Sequence, residues 1–444
     1  MIDRIRSFKW SDTHLWLADI IVGGRWGLSL AANIRQNLYM FWFDGLFASG
    51  SDNIALTYLS LYILSLGATQ GQIGLMSSFS NLTAAILLMP GALLVEHIGR
   101  RKMVALVCGL CSRLALLMLV FVPILFSGSG MVWIAIGLSV TRDAFANLGY
   151  PAWVSVSSEI VPMHGRGRYF GSRNFVMGAA NIAVTLGVGQ MISMFVQPMG
   201  YQIAVGLAFV LGMCSTWFFS RINDLQEKLN LQQVQEKLPL RKLMQEILAN
   251  RPFMTLCAVT FLWNFSLNIA GPFFNVYMVQ ELKFTAWMVG ITAVATGVSG
   301  LLVLRHIGRL SDRFGPRRVQ TWFMFVIPLL PLAWILVRNL WHVVILNTFG
   351  GVFWGAFNLA TFNLLLAFIP KSQVPRYSAF FQILVTLSLA LGAFVGSFMV
   401  TEWGFFAVFI ASGIGRYAAA GLFAWLVRDP LPQKSEGVPV MLNE

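Results

Sequence analysis

The sequence predicts an all-α integral membrane protein, twelve transmembrane helices arranged as two pseudo-symmetric six-helix bundles. Three observations carry this expectation. Of 444 residues, 57% are hydrophobic and only 11% are charged, less than half the roughly 25% charge of a soluble domain. Apolar runs of membrane length recur along the whole chain, and motifs of the first half return in order in the second. A soluble chain this apolar would lack the polar groups to cover its surface. An ordinary globular enzyme, a disordered protein and a disulfide-built secreted module are therefore excluded.

A spanning helix needs about 20 mostly apolar residues, and the elements follow in order. Residues 1–37 read as a cytoplasmic, interfacial amino-terminal segment. No cleavable signal is visible there, because Met1-Ile-Asp-Arg-Ile-Arg lacks a short apolar core with a small-residue cleavage site. Residues 14–36 are apolar but interrupted by Asp19, Gly23-Gly24, Arg25 and Arg35, which suits a helix lying at the interface. The first bundle occupies 38–220, with spans at 38–64, 73–95, 103–126, 131–156, 170–195 and 201–219. Residues 221–251, rich in Gln, Lys and Glu, form a cytoplasmic linker. The second bundle occupies 252–427, with spans at 253–279, 287–304, 319–337, 343–368, 379–400 and 405–426, and 428–444 form a cytoplasmic tail. Gly271-Pro272 marks a kink in span seven.

Charge fixes the orientation. The excess is 31 Lys+Arg over 18 Asp+Glu, or +13. With twelve spans and both termini cytoplasmic, 26 of the 31 basic residues fall on the cytoplasmic side, Arg113, Arg142 and Arg416 lie within spans, and only Lys283 and Arg338 face outward. This multi-pass arrangement belongs in a plasma or inner membrane. The basic excess is an orientation signal with some attraction to anionic lipid heads, so no nucleic-acid partner is expected. Cys108-x-x-Cys111 has redox-motif spacing but sits inside span three, where small helix-packing residues are the expected role.

The two halves echo each other. Glu96 and Gly99 after span two match Asp312 and Gly315 after span eight, both at an offset of 216. Val161-Pro162 with Arg168-Tyr169 matches Ile369-Pro370 with Arg376-Tyr377, at an offset of 208. Two echoes in one order indicate a duplicated six-helix unit.

The Asp312-Arg313-x-Gly315-x-Arg317-Arg318 signature resembles that of the major facilitator superfamily of transporters. Its first-half counterpart, Glu96, Gly99, Arg100 and Arg101, departs from the pattern in carrying Glu for Asp and His97 for Arg. The resemblance runs from Leu38 to Leu426 and implies alternating access, two bundles rocking about a central cavity. The signature loops would then act as a cytoplasmic gate, their carboxylates meeting helix amino termini and arginines.

Ionisable side chains at mid-membrane cost about 2.5–3.5 kcal/mol each on insertion scales, so they have partners or a task. Here they are Asp44, Asp52, Arg113, Arg142, Asp143 and Arg416. Asp44 and Asp52 differ by about 12 Å along a helix and roughly 80° around it, so both can reach one cavity. Asp52 is the first candidate to carry a proton, and Asp44 is expected closer to the cytoplasm and hydrated. This set resembles the drug/proton antiporter branch, although span five lacks that branch's glycine-proline pattern. Asn264, Asn268 and Asn358 are candidate amides for the substrate cavity, or interhelical glue. Phe41, Trp42, Phe43, Phe47, Trp153, Trp263 and Trp354 cluster near these polar groups, and a subset lining the cavity would suit an amphipathic or cationic solute.

The expected function is secondary active transport of a small organic, amphipathic solute, coupled to protons and directed outward. A proton-coupled sugar or organic-acid symporter and a lipid flippase of the same fold are the alternatives. No enzyme is expected: all five histidines lie at membrane edges or in loops, and no Gly-x-Ser-x-Gly, His-Glu-x-x-His or nucleotide-binding loop occurs. No cofactor or metal is called for. The partners are a small-molecule substrate, H⁺ and the lipid bilayer, with one protomer as the working unit.

Overall fold

A computed structural model describes residues 30–162, 165–223, 240–369 and 374–428. The interfacial helix expected over 14–36 falls largely outside the described residues, as do most of the linker and the tail. The described secondary structure is helical throughout, as a lipid environment demands of backbone that must satisfy its own hydrogen bonds. The first half holds α1 (Ala32–Ser65), α2 (Gln70–Ile98), α3 (Arg101–Leu125), α4 (Ser129–Ile160), α5 (Arg166–Met194) and α6 (Met199–Ser220). The amphipathic α7 (Leu240–Ala249) precedes the second half. There follow α8 (Arg251–Ala270), α9 (Phe273–Gln280), α10 (Ala286–Phe314), α11 (Pro316–Val326), α12 (Leu329–Ala333), α13 (Leu340–Phe368) and α14 (Val374–Leu426).

Among the described residues, nine segments are long and apolar enough to cross a membrane. The helices α1 and α4 also have the length, but Asp44, Asp52 and Asn53 in one, and Arg142 and Asp143 in the other, lower their hydropathy. The rod α14 is two spans, broken at Gly404, whose φ of 76° only glycine adopts freely. With α1, α4 and both limbs of α14 counted, the twelve expected spans are present.

Local sequence explains where helices begin and break. Thr69 and Gln72 form a reciprocal capping box at the start of α2, Thr69 Oγ1 accepting from the Gln72 N–H at 3.2 Å. Asn250 and Asn339 cap α8 and α13 through their side-chain oxygens. Gly271-Pro272 separates α8 from α9, the expected kink in span seven. Span nine was expected as one helix over 319–337. It is instead divided into α11, α12 and a 3₁₀ turn, Trp334–Leu336, because Pro328 and Pro331 withdraw backbone donors within four residues.

The bundles meet along two seams, α2 with the first limb of α14 and α5 with α10. These are the second and fifth spans of each half, paired as a two-fold relation requires. Contact is concentrated at the end away from the linker. There Ser78 Oγ donates to the Ala390 carbonyl at 2.8 Å, and Gln70 Nε2 donates to Gln280 Oε1 at 2.8 Å. One apolar core joins both halves at that end, including Tyr58, Ile73 and Val188 with Phe273, Val289 and Val400. Toward the linker the cores separate, one around Leu38, Phe41, Tyr169 and Phe219 and another around Phe253, Tyr377 and Phe381. The molecule is sealed at the far end and parted on the linker side.

Candidate functional site

A cavity of about 350 Å³ lies in the first bundle, and both Asp44 and Asp52 line it. The 80° offset between them on α1 therefore leaves them on one wall. Their surroundings differ. Asp44 is 4% exposed, so the hydrated position expected for it is corrected: α5 and α6 close over it. Its Oδ1 accepts from Ser215 Oγ at 2.7 Å, while its Oδ2 has no hydrogen-bond partner and lies 3.9 Å from the Arg173 guanidinium.

Arg173 was counted above among the cytoplasmic basic residues, although position 173 falls inside the span expected over 170–195. It is buried, its Nε donates to the Phe41 carbonyl at 3.3 Å, and its guanidinium sits 4.3 Å from the Phe41 ring centroid. Gly45 makes this possible, since any β-carbon there would strike the guanidinium. Sequence reasoning also missed Ser215. Nothing distinguishes it from other small residues of α6 until the fold sets it against Asp44.

Asp52 is held quite differently. Its Oδ1 accepts from Arg113 at 2.7 Å and from Arg142 at 3.0 Å, and Arg142 also donates to Asp143 Oδ1 at 2.7 Å. The Asp52 side chain remains 53% exposed. The structure thus joins Asp52, Arg113, Arg142 and Asp143 into one network across α1, α3 and α4. With Asp44 and Arg173 added, carboxylates and guanidiniums balance in this half.

A second cavity, of about 430 Å³, lies in the other bundle, lined by Arg416, Asn275, Asn347, Trp334 and Trp354 among others. The three amides predicted for the cavity sit elsewhere. Asn264 donates to the Thr260 carbonyl of its own helix, and Asn268 ties α8 to α14 through the Leu389 carbonyl at 2.7 Å. Asn358 is exposed, and these three line neither cavity. Among the aromatics, Trp153 lines the first cavity and Trp354 the second. Phe41 and Trp263 are core residues, Trp263 stacking on Phe357. Cys108 is a buried free thiol whose Cβ fits against Gly149.

The predicted gate residues cluster at the linker side. Gly99 (φ 69°) ends α2 and Gly315 (φ 83°) joins α10 to α11. Arg101 pairs with Glu159 at the end of α4 and with Ser155. Arg317 donates to the Ala424 and Val427 carbonyls at the end of α14, and Arg313 lies over Phe314. Arg100 and Arg318 are exposed. The side chains of Glu96 and Asp312 lie outside the described residues. These described contacts run within each half.

The sequence matches the Major Facilitator Superfamily over residues 41–340 and 256–442. It is 25% identical over 380 residues to the multi-drug resistance efflux pump PmrA homolog of Lactococcus lactis subsp. lactis, covering 82% of this chain and 88% of that protein. To the multidrug resistance protein MdtG of Dickeya zeae it is 25% identical over 394 residues, covering 85% and 91%. In fold it resembles the nucleoside transporter NupG, with a TM-score of 0.68 at 15% identity over 89% of this chain and 99% of that one. It likewise resembles a D-xylose-proton symporter, with a TM-score of 0.65 at 13% identity over 89% and 98%. The twelve spans, the second-to-fifth pairing of the halves and the sequence matches agree: this chain belongs to the major facilitator superfamily and is a multi-pass membrane transporter, not an enzyme.

Proposed function

We propose that this transporter exports an amphipathic organic solute in exchange for protons, by alternating access, from the plasma or inner membrane. One protomer is the working unit, and the termini and linker lie in the cytoplasm. The bundles comprise 38–220 and 252–427, joined through 221–251. Relatives named for multidrug efflux support the outward direction, and the distribution of basic residues supports the orientation.

The observation that carries proton coupling is the free oxygen of buried Asp44 in a cavity wall. A carboxylate oxygen shut from water, with the Arg173 guanidinium 3.9 Å away and the Trp153 side chain as a further polar neighbour of the carboxylate, is a place for a proton. Arg173, 3.9 Å away, comes from α5, a helix on the seam between the bundles. Motion at that seam changes how well Arg173 compensates the Asp44 charge, which couples proton binding to the change of access. Asp52 shares its charge with two arginines of its own bundle and serves chiefly to hold α1, α3 and α4 together.

Purified protein in liposomes with an internal pH dye provides the test. Solute-driven proton movement above protein-free liposomes is expected with the aromatic amphiphiles 2-naphthoate or tetraphenylphosphonium, and not with xylose or lactate. A response to xylose or lactate alone would replace the amphipathic reading, and solute uptake without proton movement would remove the coupling.

The gate makes a separate prediction. Asp312→Asn should slow transport several-fold, by roughly 1 kcal/mol of lost latch energy, with surface expression unchanged in a quantitative blot. Unaltered turnover would reduce the signature loops to orientation signals.

A further inference from the structure

The first bundle balances its buried charges, but the second does not. Its acidic residues are Glu281, Asp312 and Glu402, each at or beyond a helix end, whereas Arg416 lies in the middle of the span expected over 405–426. Arg416 is 3% exposed, and among the described residues no carboxylate comes within ion-pair distance. Its one described hydrogen bond runs from Nη2 to the Leu267 carbonyl at 3.3 Å, and its Nε has no partner. Leu267 is in the last turn of α8, so the helix end compensates part of the charge. A dry guanidinium with donors left over remains an unfinished ion pair.

What completes it is the cavity it lines. Arg416 faces about 430 Å³ of space whose wall also carries the Asn275 and Asn347 amides, Thr296, and the indoles of Trp334 and Trp354. Cationic and amide N–H donors at one place, with aromatic faces around them, match an anionic oxygen group attached to an apolar body. We infer that this cavity is the subsite for the negative group, carboxylate or phosphate, of an amphipathic organic anion, and that Arg416 is its counter-charge. The inference rests on the transport reading and narrows it. The solute's charge is read by the second bundle, while the proton is handled by the first. It also reverses the expectation of a cationic solute, because Asp44 and Asp52 are already matched by arginines.

Equilibrium binding tests it without any transport step. Detergent-solubilised full-length protein is titrated with 2-naphthoate and, as a cationic counterpart of the same ring, 2-naphthylmethylammonium, following quenching of tryptophan fluorescence. Saturable quenching by the anion alone is expected, with Kd raised at least about tenfold in Arg416→Gln and largely retained in Arg416→Lys. Asn275→Ala, which leaves the charge in place, should weaken the anion by a smaller factor, so the test survives if Arg416→Gln fails to fold. Repeating the titration in nanodiscs with and without phosphatidylglycerol separates the sources. Competition identifies a lipid headgroup as the anion, and indifference identifies a free solute. Equal affinity for both probes, or anion binding unchanged in a folded Arg416→Gln protein, overturns the subsite. Because binding is read apart from flux, a protein that binds 2-naphthoate through Arg416 but moves no protons refutes the coupling and not this site.

Discussion

Asp44→Asn is expected to cut solute-driven proton movement at least about tenfold, a loss in the range of a removed proton-transfer group, while equilibrium solute binding stays nearly unchanged. The amide keeps the carboxylate's shape, and its oxygen can still accept from Ser215, now at 2.7 Å. It cannot take up a proton, and it leaves the buried Arg173 guanidinium without its counter-charge, so a lower melting temperature accompanies the loss of coupling. Asp52→Asn should behave in the opposite way toward coupling. Removing its charge leaves Arg142 paired with Asp143 and Arg113 with the Ser51 hydroxyl but no described carboxylate. Breaking a fully buried pair costs about 3–5 kcal/mol, but the half-exposed Asp52 warrants a discount to about 1–2 kcal/mol. The expected sign is a lower melting temperature in detergent, with residual transport still coupled to protons. Flux in the dye assay separates the two aspartates, with melting of the same preparations showing that each variant remains folded. Intact coupling in Asp44→Asn, with coupling lost from an equally stable Asp52→Asn, would return the proton to Asp52.

The contrast between these two residues marks how far the sequence could be read. Span number, the duplicated half and the break at Gly271-Pro272 all follow from composition and periodicity, because lipid leaves a chain few choices. Helical geometry left Asp44 and Asp52 able to reach one cavity, and both line the same one. Their partners did not. Arg173 reaches Asp44 from a helix more than a hundred residues away, through space left by Gly45. Ser215 gained its role only through the packing of α1 against α6. Asn264 and Asn268 sit on one helix face by spacing, yet that face meets backbone and not the cavity. The isolation of Arg416 was half visible, since the sequence places no acid near it within the second-half spans. The cavity beside it was not visible at all, being assembled from the kinked seventh span, the eighth, the proline-broken ninth and the tenth around Arg416 of the twelfth.

Gly189→Leu is expected to unseal the far end. A β-carbon at Gly189 would come within 2.6 Å of the Tyr58 hydroxyl, 3.1 Å of the Ala286 carbonyl oxygen and 3.2 Å of Trp287 Cα. Tyr58 is fixed by its own hydrogen bond to the Thr185 carbonyl, and the other two neighbours are backbone at the start of α10. The side chain has nowhere to go without moving α5 from α10, and that seam holds the halves together where both cores merge. Overpacking of this kind costs about 1–3 kcal/mol. Because the cost falls only on the conformation closed at the far end, it shifts the balance between access states by roughly 5- to 150-fold. Gly187, two residues earlier on the same helix, supplies the control, since a β-carbon there meets nothing within 4 Å. A reporter cysteine replacing Gln70, whose amide bridges the halves to Gln280 at 2.8 Å, should react faster with a bulky aqueous maleimide in Gly189→Leu and at the original rate in Gly187→Leu. Transport should fall in the first variant and persist in the second. Equal labelling in both would mean that this seam does not move in the cycle, and Arg173, carried by the same helix, would lose its part in coupling access to the Asp44 proton.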